Sequence, residues 1–142
     1  MKTVLFVCTG NYYRSRFAEL LFNARRPERL GWQAVSRGFD PSPFNPGPIA
    51  TAVIERMAEA GLPMPDPPPF PRRLREIDLQ GAERIIALDA HEHPPFVDAF
   101  FPAWRKRFVF WRVPDLDRMG ASEALGLVDS NVDALIAELL AL

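Results

Sequence analysis

The segment MKTVLFVCTGNYYRSRFAELLF, residues 1–22, decides the fold of this chain. Its apolar run TVLFVC is rich in β-branched and aromatic residues and stops just before a threonine and a glycine. Such a run is typical of a strand that is covered on both faces in a parallel sheet. From Ser15 onward the apolar positions Phe17, Leu20 and Leu21 repeat with helical spacing. The chain is therefore predicted to open with a strand, a short loop and a helix.

The same alternation of strands and helices continues downstream. Shorter strands are predicted over residues 33–36, 84–88 and 108–113. A helix is predicted over residues 49–60, and Gly61 is expected to end it in the left-handed conformation. Because strands that alternate with helices imply right-handed crossovers, the fold class is predicted to be α/β with a small doubly wound sheet.

The C-terminal segment is predicted to form a last helix. Ser130 and Asp133 match a capping box, a pattern that marks the start of a helix. The apolar residues of this segment share one helical face, and they are Val132, Leu135, Ile136 and Leu139.

Length, charge and cysteine content restrict the class of protein. The 142 residues are predicted to form a single domain, 1–142, without internal repeats. With 17 Lys plus Arg and 18 Asp plus Glu, the net charge of −1 provides no general attraction for nucleic acid or an anionic membrane. No apolar stretch approaches the ~20 residues of a membrane-spanning helix. One cysteine cannot form an intrachain disulfide. We expect a cytoplasmic protein with no nucleic-acid or membrane partner, and no feature indicates an oligomeric state.

Prolines are concentrated in the segment LPMPDPPPFP, residues 62–71. We interpret this segment as a stiff connector between a helix and the next element. Binding of a partner by a polyproline helix is the alternative.

The segment CTGNYYRS, residues 8–15, carries the chemistry that the sequence predicts. Cys8 lies at the carboxyl end of the first strand, where ligands bind in doubly wound sheets. The loop that follows, together with the N-terminus of the next helix, offers unpaired backbone N–H groups to an anion. A cysteine in that positive potential loses its proton readily, because the thiolate is the favoured form there. The segment is therefore predicted to hold both an oxyanion and a nucleophile.

Four residues of this loop have individual expected roles. Arg14 can place a planar guanidinium beside the thiolate and donate two parallel hydrogen bonds to phosphate oxygens. Ser15 can donate its hydroxyl to the sulfur, Asn11 tolerates a left-handed φ and can hold the loop open, and Gly10 permits a tight turn. The alternative is a buried structural Cys8 with Arg14 as an ordinary surface residue.

The arrangement C-x5-R-S directly after a first strand resembles the phosphate loop of the low-molecular-weight protein tyrosine phosphatases. The segments AVSRG, AEAGL, RIIALD and VPDL also follow in the order found in that family. The resemblance implies four parallel strands flanked by helices, and a phosphomonoester hydrolase that forms a phosphocysteine on Cys8. It implies phosphotyrosine proteins or small aryl phosphates as substrates, without a cofactor or metal. The phosphate-binding residues that it implies are Thr9, Gly10, Asn11, Tyr12, Tyr13, Arg14 and Ser15.

The resemblance also implies a general acid in the segment WRVPDLD, after the fourth strand. Asp115 matches the family's aspartate, which protonates the leaving oxygen and then activates water. The family has a proline at the next position, where this chain has Leu116. Asp117 is the alternative acid, and either aspartate could instead be a solvated turn residue.

Three other residues depart from the family's pattern around the loop. Tyr12 and Tyr13 stand where the family has smaller side chains, and many members have a second cysteine at the position of Tyr13. Arg16 stands where the family commonly has a proline. The tyrosines are expected either to wall the entrance for an aromatic phosphoester or to pack in the core.

The segment HEH contains both histidines of the chain, His91 and His93. Two histidines at i and i+2 match zinc-ligand spacing poorly. We interpret both as surface residues and predict no metal site.

Two functions other than phosphatase activity remain open from the sequence. Arsenate reductases related to the family use the same loop, but relays through further cysteines need thiols that this chain lacks. An arsenate reductase that uses an external small-molecule thiol meets no such objection. A non-catalytic oxyanion-binding regulatory protein is the other alternative, because the WRVPDLD loop differs from the family's.

Overall fold

The computed structural model describes residues 1–142, and a four-stranded parallel sheet lies at its centre. The strands are β1 (Lys2–Cys8), β2 (Trp32–Gly38), β3 (Arg84–Ala87) and β4 (Phe108–Phe110), in the spatial order β2-β1-β3-β4. All three pairings are parallel. The predicted fold class is confirmed, although β4 ends three residues before the predicted boundary.

Five helices connect and flank the strands. They are α1 (Arg14–Arg25), α2 (Thr51–Glu59), α3 (Glu76–Gln80), α4 (Pro94–Phe100) and α5 (Ala121–Leu140). Short 3-10 helices cover Glu28–Leu30 and Pro102–Arg107. Gly61 has a φ of +68° just beyond α2, which confirms the predicted left-handed cap. The sequence did not predict α3 and α4, because each is too short to show a periodic apolar face.

The hydrophobic core divides between the two faces of the sheet. Because side chains alternate along a strand, Val4, Phe6 and Cys8 lie on one face of β1, while Leu5 and Val7 lie on the other. Residues of α1, α2 and α5 pack on the first face. Residues of α3, α4 and β4 pack on the second face, so β1 is covered on both sides as its sequence predicts.

The predicted start of the last helix is wrong. The helix α5 begins at Ala121, so Ser130 and Asp133 lie in its middle and form no capping box. The Ser130 hydroxyl donates to the carbonyl of Gly126 at 3.2 Å, which is the bond that serine makes inside a helix. The predicted apolar face is confirmed, since its four residues are buried.

The parallel register brings the carboxyl ends of the strands to one edge. Cys8 pairs with Gly38 at the end of β2, and Ala87 pairs with Phe110 at the ends of β3 and β4. Gly38 has no room for a side chain, because an added Cβ would lie 2.9 Å from the carbonyl oxygen of Thr9. This contact lets the loop after Cys8 fold across the end of β2.

The segment 62–71 contains no helix or strand, which agrees with its interpretation as a connector. It leads into Arg73, which forms an isolated parallel bridge with Gly38 beside the loop. None of the helices combines the length and the apolar character needed to cross a membrane.

Candidate active site

The loop of residues 9–13 curls around the sulfur of Cys8. Asn11 lies at the turn with a φ of +51°, the left-handed conformation that asparagine tolerates. Its backbone N–H donates to Cys8 Sγ at 3.3 Å. Cys8 therefore lies at the base of a curl that ends at the N-terminus of α1, as the sequence predicts.

A directed set of hydrogen bonds connects this curl to β2. The Asn11 amide nitrogen donates to Ser15 Oγ at 2.9 Å and to Ser36 Oγ at 3.0 Å. Because the Ser15 oxygen accepts from Asn11, its own hydroxyl hydrogen is free to donate to Cys8 Sγ, 3.0 Å away. The Ser36 hydroxyl donates to Glu19, whose carboxyl pKa is raised by burial. Ser15 is thus oriented as a donor to the thiolate.

Arg14 is buried, with 2% of its side chain exposed. Its Nη1 and Nη2 atoms donate to the Glu92 carboxylate at 3.3 and 2.8 Å, and Nη1 also donates to the Val113 carbonyl at 2.9 Å. One edge of the guanidinium fork is therefore held by protein groups. The edge formed by Nε and the second Nη2 hydrogen makes no hydrogen bond to the protein, although the Asp115 carboxylate forms an ion pair with Nη2 at 3.6 Å, and this edge is available to a phosphate.

Glu92 is a site residue that sequence reasoning missed. Besides Arg14, it accepts hydrogen bonds from the Thr9 hydroxyl and from His93 Nε2, the latter at 3.2 Å. Hydrogen bonds from these three residues hold the pKa of the Glu92 carboxyl well below its usual range, against the opposing effect of burial. Glu92 consequently stays ionised at neutral pH and gives Arg14 a permanent counter-charge.

The prediction of a surface position is wrong for His93 and correct for His91. His93 is fully buried, and burial lowers the pKa of its imidazole. The backbone N–H of Asp89 donates to His93 Nδ1 at 3.0 Å, so the neutral ring carries its proton on Nε2, facing Glu92 and Thr9. His93 is buried because it begins the turn into α4, directly beneath the loop.

Asp115 lines the cleft above Cys8, whereas Asp117 does not. The Asp115 carboxylate lies 3.6 Å from Arg14 Nη2, and its side chain is 45% exposed. Its Oδ1 accepts the Leu116 N–H at 2.9 Å, so the turn that follows holds the carboxylate without a proline. Of the two aspartates that the sequence left open, the structure brings Asp115 to the site.

The two tyrosines of the loop have different positions. Tyr12 is half-buried on the cleft wall, and its hydroxyl donates to the Pro46 carbonyl at 3.4 Å. Tyr13 is 5% exposed and packs in the core, with its hydroxyl donating to the Ala121 carbonyl at 3.1 Å. Burial raises the pKa of Tyr13 to about 12, so its phenol stays neutral. Tyr12 therefore has the expected wall position, whereas Tyr13 packs in the core and also lines the cleft.

The resulting cleft has a volume of about 260 Å³ and is open to solvent on one side. Cys8 and Arg14 form its floor and Asp115 one wall. Its remaining lining comes from the loop, from Asp40, Ser42 and Asn45 after β2, and from Leu116. All phosphate-binding residues predicted from the sequence except Asn11 and Ser15 line this cleft, and those two hold it from behind.

Three solved structures show the same fold over nearly the whole chain. A low molecular weight protein tyrosine phosphatase from T. tengcongensis is 28% identical, with a TM-score of 0.75 and coverage of 99% of this chain and 98% of that one. SP-PTP, the low molecular weight protein tyrosine phosphatase of Streptococcus pyogenes, is 21% identical, with a TM-score of 0.82 and coverage of 98% and 93%. The YwlE arginine phosphatase of Geobacillus stearothermophilus is 18% identical, with a TM-score of 0.80 and coverage of 99% and 94%.

No curated protein sequence matches the chain significantly. The family model for low molecular weight phosphotyrosine protein phosphatases matches residues 3–107, a span that includes β1, the loop around Cys8, Glu92 and most of the sheet. This chain therefore belongs to the low molecular weight phosphotyrosine protein phosphatase family, the cysteine-dependent phosphatases that its opening segment resembles.

Proposed function

We propose that this protein hydrolyses phosphotyrosine in proteins, and small aryl phosphates, with Cys8 as the nucleophile. One observation carries the proposal. Cys8 and Arg14 form the floor of one cleft, and the Asp115 carboxylate lies at its wall, where it forms an ion pair with Arg14 at 3.6 Å. A nucleophile, an anion-binding fork and a proton donor are the groups that phosphoryl transfer to cysteine needs.

The first chemical step transfers the phosphoryl group to sulfur. The Cys8 thiolate attacks phosphorus in line, and the bond from phosphorus to the phenolic oxygen breaks. Arg14 and the loop N–H groups donate to the equatorial oxygens, whose charge they stabilise without a metal or cofactor. The Ser15 hydroxyl, directed at the sulfur by Asn11, stabilises the thiolate before attack and again when it leaves.

Asp115 completes both steps by moving protons. In the first step its protonated carboxyl gives a proton to the leaving phenoxide. In the second step the carboxylate takes a proton from water, which attacks the phosphocysteine and releases inorganic phosphate. A cytoplasmic location suits this chemistry, because free thiols are kept reduced there.

The proposal is tested with three phosphorylated substrates. We expect the purified chain to hydrolyse p-nitrophenyl phosphate and a phosphotyrosine peptide, and to act far more slowly on the matching phosphoserine peptide. The aromatic Tyr12 on the cleft wall favours an aryl ester over an alkyl one. Release of phosphate is measured in each case. Equal rates on both peptides would contradict the proposed substrate class, and no release at all would favour an oxyanion-binding role.

Phosphoarginine is a second candidate substrate. Two carboxylates, those of Asp40 and Asp115, line the cleft and would face the positive charge of a guanidinium. The arginine phosphatase of Geobacillus stearothermophilus shares this fold. A phosphoarginine peptide assayed beside the phosphotyrosine peptide decides between them by the ratio of kcat/KM values.

Replacing Asp115 with asparagine is expected to lower kcat by about 10²-fold for substrates with poor leaving groups. Activated aryl phosphates should lose much less, because a good leaving group needs little protonation. The measurement is kcat against leaving-group pKa for a series of aryl phosphates. Asp117→Asn is the matched control and should resemble the wild type, since Asp117 lies outside the cleft. The reverse result would assign the proton donor to Asp117.

Replacing Glu92 with glutamine is expected to lower kcat/KM for an aryl phosphate by about 10-fold, because Arg14 loses a charge-assisted bidentate partner that fixes its orientation. Binding of inorganic phosphate should also weaken. His91→Gln changes an exposed neighbour and serves as the control. Tighter phosphate binding in Glu92→Gln would instead show that the carboxylate competes with phosphate for Arg14.

A further inference from the structure

Arg16 is a buried cation behind the phosphate loop, at a position where the sequence pattern of the family commonly has proline. It lies in the first turn of α1, and only 4% of the residue is exposed. It does not line the cleft that contains Cys8. A charge buried at this depth needs partners, and their identity shows what the residue holds in place.

The partners of Arg16 are three backbone carbonyls from three different segments. Its Nη1 atom donates to Asn11 O at 3.2 Å and to Pro48 O at 3.0 Å, and its Nη2 atom donates to Pro69 O at 2.5 Å. Asn11 belongs to the phosphate loop, Pro48 precedes α2, and Pro69 belongs to the proline-rich connector. A single side chain thus ties the loop to the two segments packed behind it.

We propose that Arg16 is a positioning residue for the phosphate loop, which acts by holding the peptide between Asn11 and Tyr12 in the orientation that binds phosphate. The proposal rests on the proposed function, since it concerns the same site.

The geometry of this peptide links Arg16 to phosphate binding. In a trans peptide the N–H and the carbonyl point in opposite directions. Because Arg16 holds the Asn11 carbonyl behind the loop, the N–H of Tyr12 is turned away from Arg16, toward the side of the loop that faces the cleft. The N–H of Asn11 already points at Cys8 Sγ. Arg16 therefore orients a donor for the phosphate oxygens.

This orientation needs support because Asn11 has a left-handed φ, a conformation that costs free energy in a residue other than glycine. Two further contacts hold neighbouring atoms of the loop, namely the carbonyl of the next peptide and the Asn11 side chain. The backbone N–H of Ala50 donates to Tyr12 O at 2.9 Å, and that of Arg72 donates to Asn11 Oδ1 at 2.9 Å. Of these three contacts, the one from Arg16 is made to the Asn11–Tyr12 peptide itself, and its donor carries a positive charge.

The charge of Arg16 acts in the same direction as its hydrogen bonds. Burial lowers the pKa of its guanidinium, while Glu19 and the Cys8 thiolate attract the positive charge and oppose that effect. Arginine remains protonated at neutral pH in proteins. Attraction between Arg16 and the thiolate is mutual, so Arg16 also adds to the positive potential in which a phosphate dianion binds.

The test compares phosphate affinity and steady-state kinetics in variants of Arg16. Arg16→Met keeps much of the side-chain volume but removes the charge and all donors. We expect it to raise the dissociation constant of inorganic phosphate, measured by calorimetry, by about 10-fold and to lower kcat for p-nitrophenyl phosphate by a similar factor. Arg16→Lys keeps the charge but cannot reach three carbonyls, so its phosphate affinity should fall by about 3-fold.

Arg25→Met is the matched control on the same helix. Arg25 is also partly buried, and it pairs with Asp129 at 2.6 Å and Asp133 at 3.2 Å on α5, far along α1 from the loop. Its loss should lower the Tm and leave phosphate affinity unchanged. If Arg16→Met lowers the Tm but keeps the wild-type phosphate affinity and kcat, Arg16 is structural only and the proposal is overturned.

The experiment also distinguishes misfolding of Arg16→Met, and an incorrect substrate proposal, from a structural role of Arg16. Should Arg16→Met fail to fold, Arg16→Lys decides, and wild-type phosphate affinity in that variant overturns the proposal. Phosphate affinity does not depend on the physiological substrate. If the wild-type protein binds phosphate but does not hydrolyse the phosphotyrosine peptide, the proposed substrate is contradicted. The role of Arg16 can still be measured in that case.

Discussion

Replacing Cys8 with serine is expected to lower kcat for p-nitrophenyl phosphate by at least about 10⁴-fold while inorganic phosphate still binds. A serine hydroxyl at neutral pH is protonated and is a far weaker nucleophile than a thiolate. The groups that bind the anion, Arg14 and the loop N–H groups, do not depend on sulfur. Stopped assays of phosphate release measure the first effect, and calorimetry with phosphate measures the second.

The loop geometry explains why binding should survive this substitution. Asn11 donates to both Ser15 and Ser36, and only one hydrogen bond from Asn11 and one from Ser15 reach Cys8 Sγ. Cys8→Ala is the control, since it removes the nucleophile without adding a hydroxyl. Near wild-type turnover by either variant would show that phosphoryl transfer does not pass through Cys8.

The part of the site that lies close together in the sequence was predictable from it. Cys8, Asn11, Arg14 and Ser15 fall within one strand, loop and helix, where local spacing determines which groups can meet. Asp115 was expected because its segment resembles the family's acid loop, and the topology of the sheet agrees with that expectation. It follows β4, and the carboxyl ends of parallel strands share one edge of the sheet, so a polar residue after any strand is a candidate for the same site.

That second rule also applied to Glu92, which the sequence analysis missed. Glu92 lies five residues after the end of β3, the strand next to β1. The two histidines that flank Glu92 were weighed as zinc ligands, and no role was assigned to the carboxylate between them. Glu92 could have been predicted from Arg14, because a buried guanidinium needs a counter-charge. The segment ALDAHEH provides a carboxylate at the correct edge of the sheet.

The remaining errors arise where tertiary contacts override local patterns. Ser130 and Asp133 match a capping box, but α5 extends upstream to Ala121 because Ala124, Leu125 and Val128 continue its buried face. His93 is polar and lies two residues after the exposed His91, yet hydrogen bonds at its two ring nitrogens make complete burial acceptable. Neither outcome could be inferred from residues within a few positions.

Replacing Arg14 with lysine is expected to lower kcat/KM for aryl phosphates by about 10³-fold or more, although the positive charge is kept. The guanidinium uses one edge for Glu92 and Val113 and leaves the other edge for two phosphate oxygens. An ammonium group has three donors at a single point and cannot serve both sets at once. It would be drawn to the Glu92 carboxylate, which stays ionised, and would leave the phosphate oxygens without a bidentate donor.

The kinetic constants and the phosphate affinity of Arg14→Lys are compared with those of Arg25→Lys. Arg25 lies on the same helix as Arg14 but away from the cleft, and it pairs with a carboxylate on α5. Arg25→Lys should retain wild-type kinetics. If Arg14→Lys also retains them, charge alone is sufficient at this position, and the shape of the fork that Glu92 holds has no part in catalysis.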